Sequence, residues 1–311
     1  MIAGTAISVF LAYNSIKSVV YKHYKTLITQ HIDQANKNVQ LYMNLIEETA
    51  EYFSSDPVLV ACLNKQKFDN RVISILDGLR STNLNILGVS LYTSAGINYT
   101  SSNVANIPSL QWIIENELSP LFISETNQQS IWIIRYGNLH DFYHTYYNKQ
   151  NGLLSYICKA NNSQKEPVGF LIIDTNINTL YNFYKNGENS FFHLINYYIV
   201  TNGGSVLTTF EKADADLKYA TKFHAGDSPQ VILQADNYVI LSSPIPSCDA
   251  TIVLHFSLDK INHQFFQLRI ILTLLFILFT VISIILARSL AYSISSPLDI
   301  LYYKMEDFLS Y

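Results

Sequence analysis

The sequence predicts an α+β chain in which a long N-terminal stalk helix and two tandem antiparallel-sheet modules are flanked by membrane helices. Three observations predict it. Ile270–Ala287 is an unbroken apolar run. Asn14–Ser55 holds neither Gly nor Pro and carries apolar residues at helical spacing. Between Ile86 and Phe256 the apolar residues instead alternate in period two, in two similar successions.

Composition sets the frame. Of 311 residues, 49% are hydrophobic and only 14% charged, an apolar excess concentrated at the two ends. The net charge of −4 and the lack of a Lys/Arg cluster exclude a nucleic-acid face. Cys62, Cys158 and Cys248 are odd in number and widely spaced. They fit no disulfide framework or metal spacing and read as small core residues.

The C-terminal run, IILTLLFILFTVISIILA (270–287), holds no charge, Pro or Gly. Its length of about eighteen residues approaches the ~20 that cross a hydrocarbon core. Arg269 and Arg288 bracket it, as snorkelling cations do. Thr273, Thr280 and Ser283 are tolerable in lipid because their hydroxyls bond back to helix carbonyls. At the other end, Met1–Tyr13 is apolar but short, with no basic start and no cleavage site of small residues. It reads as the outer part of a first membrane helix, over residues 1–16. Residues 268–288 form the second.

The stalk, residues 17–56, places Ile28, Ile32, Ala35, Val39, Tyr42, Ile46, Thr49 and Phe53 in steps of four and three. Two readings of this seam stay open: a parallel dimer contact, or a stripe packed on the chain's own sheets. Asp56-Pro57 ends the run, because the residue before proline avoids helical geometry. His23 and His31 lie on the stalk and read as surface residues.

The first module, residues 57–184, has strands at 86–92 and 97–100 around the turn Ser94-Ala95-Gly96. A helix follows near 109–118 with Ser109 as N-cap, then strands at 130–136, 153–159 and 168–174, and a helix near 176–184. The second, residues 185–267, repeats the pattern. Strands at 196–200 and 205–209 flank Asn202-Gly203-Gly204, a helix covers 214–221, and strands cover 231–235, 238–243 and 251–256. The closing units IIDTNI (172–177) and VLHFSL (253–258) are alike, each running strand, polar cap, helix. They indicate one module in two copies.

The stretches ILGVSLYTSAGINYTS (86–101), LLSYICKANNSQKEPVGFLIIDTNINTLY (153–181) and YVILSSPIPSCDATIVLHFSLDKI (238–261), in this order between membrane helices, resemble the double Cache (tandem PAS-like) sensor domain of bacterial receptors. LARSLAYSISSPLDILYYKMEDF (286–308) resembles the start of a HAMP linker, residues 289–311. There Ser295-Ser296-Pro297 restarts a helix, and Ile294, Leu298, Leu301, Met305 and Phe308 step four, three, four, three. The resemblance covers nearly the whole chain and is nearest to Gram-positive sensor histidine kinases. It implies the input end of a two-component signalling protein in a bacterial plasma membrane, multi-pass, with residues of about 17–267 outside the cytoplasm. It also implies a homodimer and an output module further along. The alternatives are a methyl-accepting chemoreceptor, another membrane-anchored regulator, or a membrane-anchored binding protein.

Within the family the membrane-distal module binds small molecules between its sheet and the loops beyond it. The residues offered here are Tyr92, Tyr99, Trp112, Trp132, Arg135, Tyr136, Tyr156 and Asp174. Amino-acid-binding members carry an Arg two residues before a Trp-Tyr pair, and an Asp at the end of the last strand. This chain keeps Trp112 and Asp174 but has Leu110 at the Arg position and Ile113 at the Tyr. A ligand carboxylate therefore lacks its bidentate partner. The expected ligand is a sugar, amine or organic acid, or else a solute-binding protein. Two readings of Asp174 remain, ligand acceptor or cap of the following helix. The aromatics are either pocket or core.

No catalytic machinery is legible. There is no Gly-rich phosphate loop, no nucleophile elbow and no kinase motif, and no cofactor is expected. His140 and His144, four apart around Asp141, have metal-ligand spacing but sit among tyrosines in a loop-like stretch, so no metal site is assigned. Asn98-Tyr99-Thr100 and Asn161-Asn162-Ser163 match glycosylation acceptors, a pattern common by chance.

Overall fold

The computed structural model describes residues 2–65, 67–82, 84–106, 108–116, 129–135, 152–161, 163–164, 166–185, 193–201, 206–208, 230–234 and 238–309. It divides into two compact units. One is Leu27–Leu258; the other combines Met1–Thr26 with Asp259–Tyr311.

The larger unit is built on two five-stranded antiparallel sheets. The first contains β1 (Ile86–Thr93), β2 (Asn98–Thr100), β3 (Ser130–Arg135), β4 (Leu153–Asn161) and β5 (Pro167–Asn176) in the order β2-β1-β5-β4-β3. The second contains β6 (His193–Thr201), β7 (Val206–Thr208), β8 (Gln230–Gln234), β9 (Tyr238–Pro244) and β10 (Ala250–Ser257) in the order β7-β6-β10-β9-β8. Taken in sequence order the strands correspond one to one, which is the duplication that the alternating pattern indicates. The helix expected at 214–221 and the turn at 202–204 lie outside the described residues.

Helix α1 (Ile2–Ser54) serves both sheets. Ile28, Ile32, Ala35, Val39, Met43, Ile46 and Ala50 are all at most 1% exposed within the single chain. The stripe therefore packs on the protein's own sheets, and the dimer reading of the Ile28–Phe53 seam is corrected. Tyr42, Thr49 and Phe53 leave the buried line and Met43 and Ala50 join it. The reason is geometric. Steps of 4, 3, 4, 4, 3, 4 follow the ~3.6-residue period of a straight helix, whereas a dimeric supercoil keeps 3.5. The outer face carries amide pairs, Gln34 Nε2 on Asn38 and Gln40 Nε2 on Asn44, beside the exposed Leu41, Leu45 and Tyr52.

Two helices absent from the sequence reading follow α1. Asp56 caps α2 (Pro57–Lys65) by accepting the Val58 and Leu59 N–H groups at 2.8 and 3.3 Å. Pro57 stands at the first helical position, where its missing N–H costs nothing. Helix α3 (Arg71–Arg80) buries Val72, Leu76 and Leu79. Helix α4 (Leu110–Asn116) begins at Ser109 as expected; Ser109 Oγ accepts the Trp112 N–H. Helix α5 (Ile177–Lys185) leads from β5 toward β6, burying Ile177, Leu180, Tyr181 and Tyr184.

Three polar contacts fasten α1, α5 and the second sheet together. Tyr184 Oη donates to Asn36 Oδ1 at 2.7 Å, Asn36 Nδ2 donates to Ser243 Oγ at 2.8 Å, and His31 Nε2 lies 2.8 Å from the Tyr184 carbonyl. His31 is thus a packing residue, not the surface histidine that its place on the stalk suggests. At the edge of the first sheet, Trp132 of β3 forms a backbone bridge with Cys248, in the turn between β9 and β10.

In the smaller unit, α6 (Asp259–Leu309) runs alongside the start of α1. The Tyr21 ring stacks on Phe265 at 5.6 Å, Tyr13 meets Phe265 edge-on, Tyr21 Oη donates to Asn262 Oδ1, and Lys17 lies over the Tyr21 ring. Among the described residues one helical stretch, Asp259–Pro297, is long and apolar enough to cross a membrane, with a mean hydropathy of 3.1 in its best window. Residues 1–16 do not qualify by themselves. Thr273 and Thr280 return their hydroxyls to the carbonyls of Arg269 and Phe276, so both are satisfied within the helix. The helix restart expected at Ser295-Ser296-Pro297 is corrected, because α6 continues through Pro297. Proline removes one backbone bond and crowds the carbonyl four residues earlier, that of Ser293, which bends a helix without having to end it.

Candidate functional site

Side chains directly opposite in an antiparallel pair share a face of the sheet, and alternate residues along a strand do likewise. In the first sheet the register sets Gly88 against Asp174, Ser90 against Ile172 and Tyr92 against Phe170. It sets Ser155 against Asp174 and Ile157 against Ile172. It also sets Ile133 against Ser155 and Arg135 against Leu153. Tyr92, Asp174, Ser155, Ile157, Ile172, Ile133 and Arg135 therefore share one face. Helix α4 covers part of it. Ile113 packs with Tyr92, Ile157 and Ile172, and Leu110, Ile114, Ile131, Ile133 and Phe170 surround them. Tyr92 Oη donates to the Pro108 carbonyl and so ties the approach to α4 to the sheet.

At the far end of this apolar face lies a charged group. Arg135 Nη1 is 3.0 Å from both Asp174 oxygens, and Ser155 Oγ donates to Asp174 Oδ1 at 2.6 Å. The two charged side chains are only 4% and 8% exposed. Paired charges so deeply buried are uncommon, since each ion costs several kcal/mol of desolvation. Asp174 is not the cap of α5; Asn176 Oδ1 takes the Asn178 N–H in that role. Gly152, at φ 69°, enters β4 so close to β3 that a Cβ there would lie 2.9 Å from the Arg135 carbonyl. Glycine at 152 thereby fixes the spacing beside the ion pair.

The eight candidate residues divide. Tyr92, Arg135 and Asp174 share the α4 face. Trp112 is on α4 but is 43% exposed. Tyr99, Trp132 and Tyr156 belong to the opposite parity. Trp132 Nε1 donates to Glu47 Oε1 of α1 at 2.6 Å, with the Tyr156 ring 5.0 Å from the Trp132 ring. Burial pushes the Tyr156 phenol up to about 12. The Tyr99 hydroxyl lies 2.9 Å from Cys62 Sγ and accepts the Asp69 N–H, and its ring stacks on Phe68. These three are core residues. Tyr136, His140, Asp141 and His144 lie outside the described residues. Among those described, no cluster of three or more His, Cys, Asp or Glu could hold a metal. All three cysteines are free; Cys62 is buried as the sequence suggests, whereas Cys158 and Cys248 are only partly buried. Ser155, Ile113 and Ile133 are site residues that the sequence reading missed. Counting alternate positions from Arg135 finds Ile133; Ser155 is on another strand, and only the pairing of β4 with β5 brings it to Asp174.

In the second sheet, His255 on β10 holds the place that Asp174 holds on β5, with Asn196 opposite it and its ring edge-on to Tyr238 at 4.8 Å. Tyr198, Val200, Ile240 and Val253 form the apolar cluster of that sheet.

No protein-family model and no curated protein sequence matches the chain. Solved structures do. The ligand-binding domain of the Pseudomonas fluorescens chemoreceptor CtaA, in complex with L-isoleucine, is 16% identical with a TM-score of 0.50, covering 78% of this chain and 96% of that one. The extracellular domain assigned to the histidine kinase vpHK1S-Z8 is 13% identical with a TM-score of 0.51, covering 80% and 94%. The fold is thus that of the Cache-type ligand-binding domains of bacterial sensors.

Proposed function

We propose that this chain is the ligand-sensing input of a bacterial membrane receptor, and that its ligand is held on the α4 face of the first sheet. The observation that carries the reading is the buried Arg135–Asp174–Ser155 cluster at the end of an apolar face, in a fold shared with ligand-binding domains. Ligand sites are largely apolar with a few placed polar groups. Residues 57–184 form the distal, sensing module, and residues 185–267 the proximal one.

The membrane reading has two supports. Apolar side chains of α6 such as Leu274, Leu278, Phe279 and Ile285 are exposed, as lipid-facing residues are. The aromatic contacts of Tyr13 and Tyr21 with Phe265 place the start of α1 beside α6. Residues 1–16 and 268–288 then cross together, and about 17–267 stand outside. Residues 289–311 begin a HAMP-type linker, whose Ile294 and Met305 are exposed for a partner helix. The output is a histidine kinase module of a two-component system. A methyl-accepting module is the second reading, which the chemoreceptor fold neighbour favours.

The test is a thermal-shift screen of the full chain in detergent, since a ligand that binds only the folded form raises the melting temperature. A hit abolished by Ile133→Gln, at a partly buried position of the same face and in a variant that keeps its own unfolding transition, supports the site. A hit that survives this substitution removes the α4 face from consideration.

A further inference from the structure

The following rests on the α4 face being the sensing site. Asp174 is a buried carboxylate, and its counter-charge comes from inside the chain. Arg135 Nη1 reaches both oxygens and Ser155 adds a hydroxyl donor to one. The pair sums to zero charge. A ligand bringing an ammonium group would add a positive charge where Asp174 is already neutralised. A ligand bringing a carboxylate would add a negative charge beside Asp174. Either leaves net charge in a buried, low-dielectric setting. A zwitterion, neutral as a whole, would have to displace Arg135 from Asp174 to seat its ammonium, so all three are disfavoured. An uncharged molecule leaves no net charge. On the same face the partly buried Ile133 borders the core that α4 makes with Ile157 and Ile172, and Ser90 and Ser155 carry buried hydroxyls.

We propose that Arg135 determines specificity: its guanidinium fills the cation position at Asp174 from within, so that the site takes small uncharged, hydroxyl-bearing molecules and refuses amines. The likeness to a domain solved with L-isoleucine is a likeness of fold. Here the place for a positive charge is already taken.

Two arms of one experiment test this on the full chain in detergent micelles. In the first, Arg135→Ala vacates the position. Millimolar ethylguanidinium or putrescine should then raise the melting temperature of the variant by several degrees more than that of the wild type. Adding Asp174→Asn should abolish the gain. A folded Arg135→Ala protein that responds to neither cation overturns the proposal. If Arg135→Ala does not fold, the uncharged pair Arg135→Met/Asp174→Asn replaces it. That protein should respond to neither cation, and a response overturns the proposal.

In the second arm the wild type meets a panel of monosaccharides, disaccharides and polyols beside L-isoleucine, putrescine and succinate. The uncharged compounds should contain the hits. Stabilisation by an amine that Asp174→Asn removes, or a panel silent for every uncharged compound, overturns the ligand class. Failure of the underlying reading looks different: an uncharged hit persists in a folded Ile133→Gln protein, while the cation response of Arg135→Ala stands.

Discussion

Arg135 Nη1 sits equidistant from the two oxygens of Asp174, at 3.0 Å, across β4 and not on adjacent strands. The guanidinium reaches over Leu153–Ser155 to close the pair, and Ser155, on the strand between, bonds the same carboxylate. Removing one partner leaves the other charge buried and alone. Arg135→Met or Asp174→Asn should each cost about 3–5 kcal/mol, and the double variant much less than their sum. Urea melts of the four proteins close the cycle. Additive losses would refute the coupling.

The seam of α1 gives a prediction opposite to that of a dimer. Met43→Ala should destabilise by about 2–5 kcal/mol, because it empties a buried site, whereas Leu41→Ser should stay within about 0.5 kcal/mol. If a homodimer forms through α1, its contact is on the outer face, where Leu41, Leu45 and Tyr52 are exposed. Cysteine at Leu41 should then crosslink in membranes and cysteine at Val39 should not. Crosslinking at Val39 would show that the helix leaves its own sheets.

Trp132 and Trp112 are the two tryptophans of the chain and report on separate places. With Trp112→Phe, the remaining emission should be blue-shifted and resist acrylamide. With Trp132→Phe it should be red-shifted and readily quenched. Trp132→Phe also leaves Glu47 Oε1 without its indole donor, at a cost of about 1–3 kcal/mol. Equal quenching of both indoles would contradict these placements.

Alkaline pH should loosen the fold for a calculable reason. Burial pushes the Cys158 and Cys248 thiols from 9.0 up to about 12, and the Tyr42 and Tyr156 phenols from 10.0 up to about 12. Each group ionises more readily in the unfolded chain than in the folded one. Their contribution to stability is therefore whole below about pH 9 and is lost as pH rises toward 12. Urea midpoints should fall between pH 9 and pH 11. Cys158→Ala/Cys248→Ala should flatten the onset of that fall. At pH 8 the buried Cys62 should resist iodoacetamide until urea is added, as mass spectrometry can show.

Much of the fold was legible because each element carries its own period. Strands β1, β4, β5, β9 and β10 alternate or run apolar between turn residues, and Ser109 announces α4. What was not legible is the relation between strands. Parity within β3 is in the sequence; parity of β3 relative to β5 depends on register. Irregularities at Ile86/Gly88 and Ala160/Asn161 shift that register locally. Only the strand pairings, and not the period of any one strand, separate Tyr99, Trp132 and Tyr156 from the residues of the other face. Helix α3 escaped notice because it is short, contains Gly78 and starts at Asn70 without a side-chain cap. A heptad count and the buried line part at Tyr42 and Met43, because steps of four and three fit both a supercoil and a straight helix until about the fifth turn.

The bond from Asn36 to Ser243 joins residues 207 positions apart. On a ribosome adding about 5–20 residues per second, the stalk would wait roughly 10–40 s for that partner to be made. During that interval the stripe from Ile28 to Ala35 has emerged but lacks the strands meant to cover it. Segments in that condition are where chaperones bind and where neighbouring nascent chains adhere. Slower elongation between codons 185 and 243 should lower the yield of folded protein more than the same delay placed after codon 258.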